Sequence, residues 1–190
     1  MCPSNFIIRR QCRDGSCLLF QSSENFSYNS ASNVHSFIHD IKVKTRRSRC
    51  FSATDIPVVA METEGAHCLR AALDAGKPVS IGEIPSIAKT LGALCVTQGV
   101  FDLKEGIQLS SHVVSDKQAV EACINFADHH RMLVEPSCGA ALAAGYSGLI
   151  QRLKENNFIR KRGPVVFIVC GGNIVSMDNL IEWKKHFRIC

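Results

Sequence analysis

The chain has 190 residues, a hydrophobic fraction of 46% and a formal net charge of +5 at pH 7. That length suits one domain of ordinary size, or one domain with an appendage, and the composition supports a buried core. No uninterrupted apolar run approaches the ~20 residues of a membrane-spanning helix, and "FII" is followed at once by Arg9 and Arg10, so neither a membrane span nor a signal peptide is expected.

The charge is uneven. Before Val58 eight Lys/Arg face four Asp/Glu, a net of +4; from Val58 onward fourteen face thirteen, a net of +1. The excess sits in "KVKTRRSR" at 42–49. Such a cluster suits nucleic acid or a solvated loop. With no zinc-finger spacing and no aromatic RNA-reading motif, the solvated loop is the expectation. The 10 cysteines are irregularly spaced and form no Cys-x-x-Cys pair. They read as small hydrophobes in a reducing, cytoplasmic setting rather than as disulfides or a zinc site.

In chain order, residues 1–56 are rich in Ser and Asn and follow neither helical nor strand period, which predicts an irregular leader. Residues 57–190 are regular. "PVVAM" predicts a strand, and "GAHCLRAALDAG" a helix ended by Gly76. "PVSIGEIPSIAKTLG" predicts a short helix ending at Gly92, and "ALCVTQ" a strand. "HVVSD" predicts another strand, with Ser115 placed to open the helix "DKQAVEACINFADHH". That helix puts Ala119, Val120, Cys123, Phe126 and Ala127 on one face. After the extended piece "MLVEP", Ser137 or Cys138 opens one long helix, "GAALAAGYSGLIQRLKEN". "PVVFIVC" predicts the last strand, and Ser176 caps a final helix. Strands alternating with helices imply an α/β layered fold with a mostly parallel sheet. Ligands in such folds sit beyond the carboxyl ends of strands.

Four places could carry chemistry. The strand end Cys170-Gly171-Gly172-Asn173 is either a tight turn with a buried thiol or a seat where a flat ligand approaches backbone. "VEPSCGAALAA" has an entry fixed by Glu135 before Pro136. It then presents little side-chain bulk, for close packing or for a cofactor. "METEGAHC" puts Glu62 and Glu64 after a strand, where i, i+2 spacing points them opposite ways. They are surface acids, an acid–base pair or oxygen ligands for a hard cation. His129 and His130 close a helix, where cations complement the macrodipole.

Together, "VVAMETEGAHCLRAALDAGK", "IPSIAKTLGA", "VSDKQAVEACINFADHHRMLVEPSCGAALAAGYSGLI" and "VVFIVCGGN" resemble the carboxyl-terminal part of the serine/threonine dehydratase family. These are pyridoxal-phosphate lyases of the tryptophan-synthase-β, or fold type II, group. The resemblance covers about 57–173 and leaves out 1–56. It implies a three-layer α/β large domain, present in part. It also implies L-serine or L-threonine ammonia-lyase ancestry in amino-acid metabolism and gluconeogenesis, giving pyruvate or 2-oxobutyrate and ammonia by β-elimination. Cys170 would face the pyridine nitrogen, Gly171 would make room for the ring, and Thr90 would lie beside the ring face. A monovalent-cation site would fall on Glu62, Ala66, Cys68, Leu91 and Ala93, with Cys68 replacing the serine common in relatives. The family's cofactor-bonding lysine lies in a Ser-x-x-Lys-x-Arg-Gly motif, which no lysine here matches. The expectation is therefore a chain inactive by itself. The alternative is a non-catalytic partner of a full-length dehydratase, as a homodimer or a mixed pair.

Overall fold

The computed structural model describes residues 56–161, 165–169, 172 and 175–190. The expected leader, apart from Ile56, and the basic cluster lie outside them. The described residues divide into two compact units, 56–116 and 117–190.

In the first unit, strand β1 (Val58–Thr63) runs parallel to β2 (Leu109–Val114), from Val58 opposite Leu109 to Thr63 opposite Val114. Parallel neighbours need a long crossover. Here it carries helix α1 (Cys68–Ala75), a 3-10 turn at Lys89–Leu91, helix α2 (Gln98–Asp102) and a 3-10 turn at Leu103–Glu105. Gly76 ends α1 as predicted, at φ 70°, with its N–H on the Leu73 carbonyl. The apolar stripe of α1 (Cys68, Leu69 and Ala72) packs on Val96, Val100 and Phe101. Burying one large aliphatic or aromatic side chain of this set is worth ~1.5–3 kcal/mol.

Two expectations fail in the crossover. The segment 78–92 is not a helix; only Lys89–Leu91 coils, as a 3-10 turn. Gly82 takes φ 81°, and the Ile87 N–H is held by the Asp116 carboxylate at 3.0 Å rather than by a helical carbonyl. "ALCVTQ" makes a single antiparallel bridge, Ser80 to Cys95, instead of a strand. The five-residue α2 follows it, too short to leave a periodic signal.

The second unit is built from α3 (Asp116–His130), α4 (Pro136–Tyr146), α5 (Leu149–Glu155) and α6 (Met177–His186). The predicted face of α3 is buried at Ala119, Val120, Cys123 and Phe126. The one long helix expected after Ser137 is two, parted at Ser147 and Gly148, where Gly148 takes φ 73°. Helix α4 is buried nearly all round, at Cys138, Gly139, Ala140, Leu142, Ala143 and Ala144. It packs flush with its neighbours because its side chains are small. The stretch 165–169, expected as a strand, joins no sheet among the described residues. Ser176 opens α6 with a capping box: its Oγ accepts from the Asn179 N–H at 3.2 Å, and Asn179 Oδ1 accepts from the Ser176 N–H at 2.8 Å. No helix among the described residues is long and apolar enough to cross a membrane.

Candidate functional site

The end of β1 holds the most heavily bonded carboxylate of the first unit. Glu62 is 6% exposed. Its Oε1 accepts from the Leu69 N–H at 2.9 Å, and its Oε2 accepts from the Arg70 N–H at 2.9 Å and from Ser111 Oγ at 2.6 Å. These amides are among the four at the start of α1 that no helical carbonyl reaches. Residue His67, at the cap position, makes no side-chain cap bond. A strand carboxylate therefore does the capping from outside the helix. Its charge also faces the positive end of the helix dipole. Glu64 is exposed whereas Glu62 is buried, so the two acids stand in different surroundings. Beside Glu62 lies Cys68, buried in the α1 cluster, with the half-buried Ala93 packed against that cluster.

A second buried network anchors the loop that leads to Thr90. Thr63 Oγ1 and Ser86 Oγ lie 2.8 Å apart, and Ser86 Oγ donates to Asp116 Oδ1 at 2.6 Å. Ser86 Oγ also accepts from the Ala88 N–H at 3.0 Å. The bonds tie β1, the 86–88 loop and Asp116 together. Thr90 and Leu91, half-buried, sit in the 3-10 turn that follows. Sequence reasoning missed this network because its members are 23 and 30 positions apart.

In the second unit, Glu135 stands before α4 in extended backbone (φ −80°, ψ 161°) but does not cap it with its side chain. Its carbonyl accepts instead from the Gly139 N–H at 2.9 Å and from Cys123 Sγ at 3.4 Å. His129 and His130 occupy the last turn of α3 as predicted. His129 Nδ1 reaches Tyr146 Oη on α4 at 3.3 Å, and the His130 ring lies 4.6 Å from that of Phe126. Cys170 and Gly171 lie outside the described residues. Gly172 is described, and a Cβ on it would collide with the Leu133 carbonyl oxygen.

Comparison with known proteins places these elements. Residues 43–171 match the family described as "Pyridoxal-phosphate dependent enzyme", a match that begins upstream of Pro57. The chain belongs to this family. It is 48% identical over 130 residues to "Serine dehydratase-like" of Mus musculus, covering 68% of this chain and 40% of that protein. To "L-serine dehydratase/L-threonine deaminase" of Homo sapiens it is 47% identical over 133 residues, covering 70% of this chain and 40% of that protein. Among solved structures it is similar to a fungal L-serine ammonia-lyase from Rhizomucor miehei, with TM-score 0.66 and 26% identity over 83% of this chain and 56% of that one. The chain thus spans about two-fifths of the length of the curated relatives it matches. The α/β fold with a parallel sheet is that of the fold type II pyridoxal-phosphate enzymes.

Of the residues this family resemblance assigns to a cation, the structure brings Glu62, Cys68 and Ala93 together. Ala66 is buried in the turn before α1, and Leu91 ends the 3-10 turn before Ala93. The Cys68 side chain does not fit a hard cation. Burial, then the neighbouring Glu62 carboxylate, then Cys95, push its thiol up from 9.0 to about 11. It stays neutral at physiological pH, and a neutral thiol is a poor partner for such an ion. A backbone hydrogen bond at Ala93 acts the other way, as a donor to sulfur does.

The same burial gives an alkaline signature. Cys123 is pushed up from 9.0 to about 12, chiefly by burial and further by Glu135, against a backbone hydrogen bond at Gly139. Both thiols hold their protons in the folded chain over a range where the unfolded chain releases them. Their contribution is complete below pH 9 and is lost as pH rises through 11 and 12. The urea midpoint is expected to fall across that window, and Cys68→Ala, Cys123→Ala should flatten the slope. A slope unchanged by the double substitution would sink this assignment.

Proposed function

We propose that the chain is the carboxyl-terminal part of the cofactor domain of an L-serine/L-threonine ammonia-lyase and does not complete the reaction alone. The reaction is the β-elimination that turns serine into pyruvate and ammonia and threonine into 2-oxobutyrate and ammonia. The reading rests on the 47% identity to the human L-serine dehydratase/L-threonine deaminase, with the motifs in family order. A cytoplasmic setting belongs to the same proposal.

Pyridoxal phosphate, when bound, supplies the electron sink; the protein supplies position and electronics. Thr90 would flank the ring face, on a turn held from below by the Asp116–Ser86–Thr63 bonds. Cys170 would meet the ring nitrogen as a weak hydrogen-bonding thiol, which does not hold that nitrogen protonated. Gly171 would let the ring come close. Any cation would rest on Glu62 and the carbonyls of Ala66, Leu91 and Ala93, not on the Cys68 side chain. No lysine of the sequence stands in the Ser-x-x-Lys-x-Arg-Gly setting, so the group that would bond the cofactor and move the substrate α-proton is missing from these 190 residues.

The test is direct. Purified 190-residue chain is mixed with pyridoxal phosphate and L-serine, and pyruvate and the cofactor's absorbance are followed. No pyruvate and no new absorbance band are expected; catalytic pyruvate release overturns the reading. A second reading is a non-catalytic partner of a full-length dehydratase, favoured by exposed apolar residues such as Leu94 (48%) and Val113 (37%). Co-expression with the full-length enzyme would then yield a mixed complex, and two separate elution peaks would end that reading.

A further inference from the structure

In the second unit a cleft of about 510 Å³ opens between α3 and α6, within the size range of small-molecule sites. Each helix gives it one face at i, i+3, i+4, i+7 spacing: Ile124, Ala127, Asp128 and Arg131 from α3, and Met177, Leu180, Ile181 and Lys184 from α6. Such a face on an amphipathic helix ordinarily turns into a core. Here only Leu180 is buried, at 5%, while Met177 stays 57% and Ile181 47% exposed. Met132 adds a third exposed apolar side chain to the rim, at 39%. Methionines are adaptable packers of irregular ligands.

The charges in the cleft select the ligand. Arg131 pairs with Asp128 at 3.1 Å in an exposed i, i+3 contact, and their formal charges sum to zero. Lys184 makes no ion pair among the described residues, so the cleft carries one uncompensated positive charge over an apolar floor. We propose that this cleft binds an apolar monoanion, a free straight-chain carboxylate of the medium-chain fatty-acid class. Its carboxylate meets Lys184, and its chain covers Met177, Ile181 and Met132. This site is separate from the cofactor reading and stands without it.

The chain has four methionines, which makes methyl-labelled methionine a direct probe. Met132 and Met177 line the cleft, and Met61 is buried in β1 and serves as control. Titration of the full chain with octanoate, below its micelle concentration, is expected to shift the Met132 and Met177 methyls saturably and leave Met61 in place. Octylamine, of equal length and opposite charge, should shift neither. Lys184→Gln, at an exposed position, should weaken octanoate roughly fivefold, the upper range for a solvent-exposed ion pair. Met132 and Met177 methyls at their wild-type positions in the ligand-free variant show that the second unit is folded. The proposal is overturned by any of four results: no saturable shift, equal response to octylamine, an unchanged affinity in Lys184→Gln, or broadening of Met132 and Met177 with protein concentration alone, which would assign the cleft to a second copy of the chain.

Discussion

Glu62→Ala is expected to cost the folded chain about 4 kcal/mol, measured by urea unfolding. The carboxylate accepts three hydrogen bonds in a buried site, two from the first-turn amides of α1 and one from Ser111 on β2. Hydrogen bonds to charged groups contribute ~1.5–3 kcal/mol each, and loss of a helix cap costs ~0.5–2 kcal/mol. The three terms share one side chain and do not add in full. What raises the total is the remainder: after truncation, the Leu69 amide and the Ser111 hydroxyl lose this partner in a buried place, and the Arg70 amide loses it in a half-buried one. The loss is then a large share of the ~5–15 kcal/mol that holds an ordinary domain together. Glu62→Gln keeps the shape and one acceptor oxygen but turns an amide donor toward other donors, so about half the loss is expected. Hydrogen exchange gives the local check: the Leu69 and Arg70 amides should lose protection in Glu62→Ala before the rest of α1. A loss below about 1 kcal/mol with both amides still protected would falsify the capping role.

That role also marks how far the sequence could be read. Strong period and punctuation made β1, α1 with its Gly76 stop, β2, α3 and α6 legible, because each is specified by residues close to one another in the chain. The acid at Glu62 was legible as a candidate; its partners were not, since its neighbours in space are a helix start and a strand hydroxyl 49 positions away. The crossover failed for a related reason. Apolar spacing in 78–92 suits a helix, but Gly82 in the left-handed region and the Asp116 carboxylate on Ile87 impose a different path. The long helix expected after Ser137 breaks at Gly148, where a positive φ interrupts the ladder; the signal was "GYSG" at 145–148, since glycine is a poor helix former. The family resemblance survived these local misses because it rested on the order of whole motifs. Its cofactor end, Cys170 and Gly171, lies outside the described residues.

Gly139→Ala is expected to destabilise the second unit by about 3 kcal/mol, although alanine is the better helix former. In an unconstrained helix the change would gain ~1 kcal/mol. Here a Cβ on Gly139 would lie 2.5 Å from Cys123 Sγ and nearer still to the carbonyl oxygen of Ala119. The sulfur can rotate away; the carbonyl is part of the α3 backbone and cannot. The methyl therefore forces α3 and α4 apart, along an interface where Val120, Cys123, Ala140 and Leu142 are all fully buried. Overpacking of this kind costs ~1–3 kcal/mol and at times more, and here it must first offset the propensity gain. Gly76→Ala separates crowding from backbone effects. That glycine has φ 70°, and a Cβ there would meet nothing within 4 Å, so only the left-handed penalty of ~1–2 kcal/mol applies. The double change Gly139→Ala, Cys123→Ala should recover part of the Gly139→Ala loss and not all of it, since the Ala119 oxygen remains in the way. Full recovery would place the clash on the sulfur alone, and no loss in the single variant would mean that α3 and α4 are not held at this distance in solution.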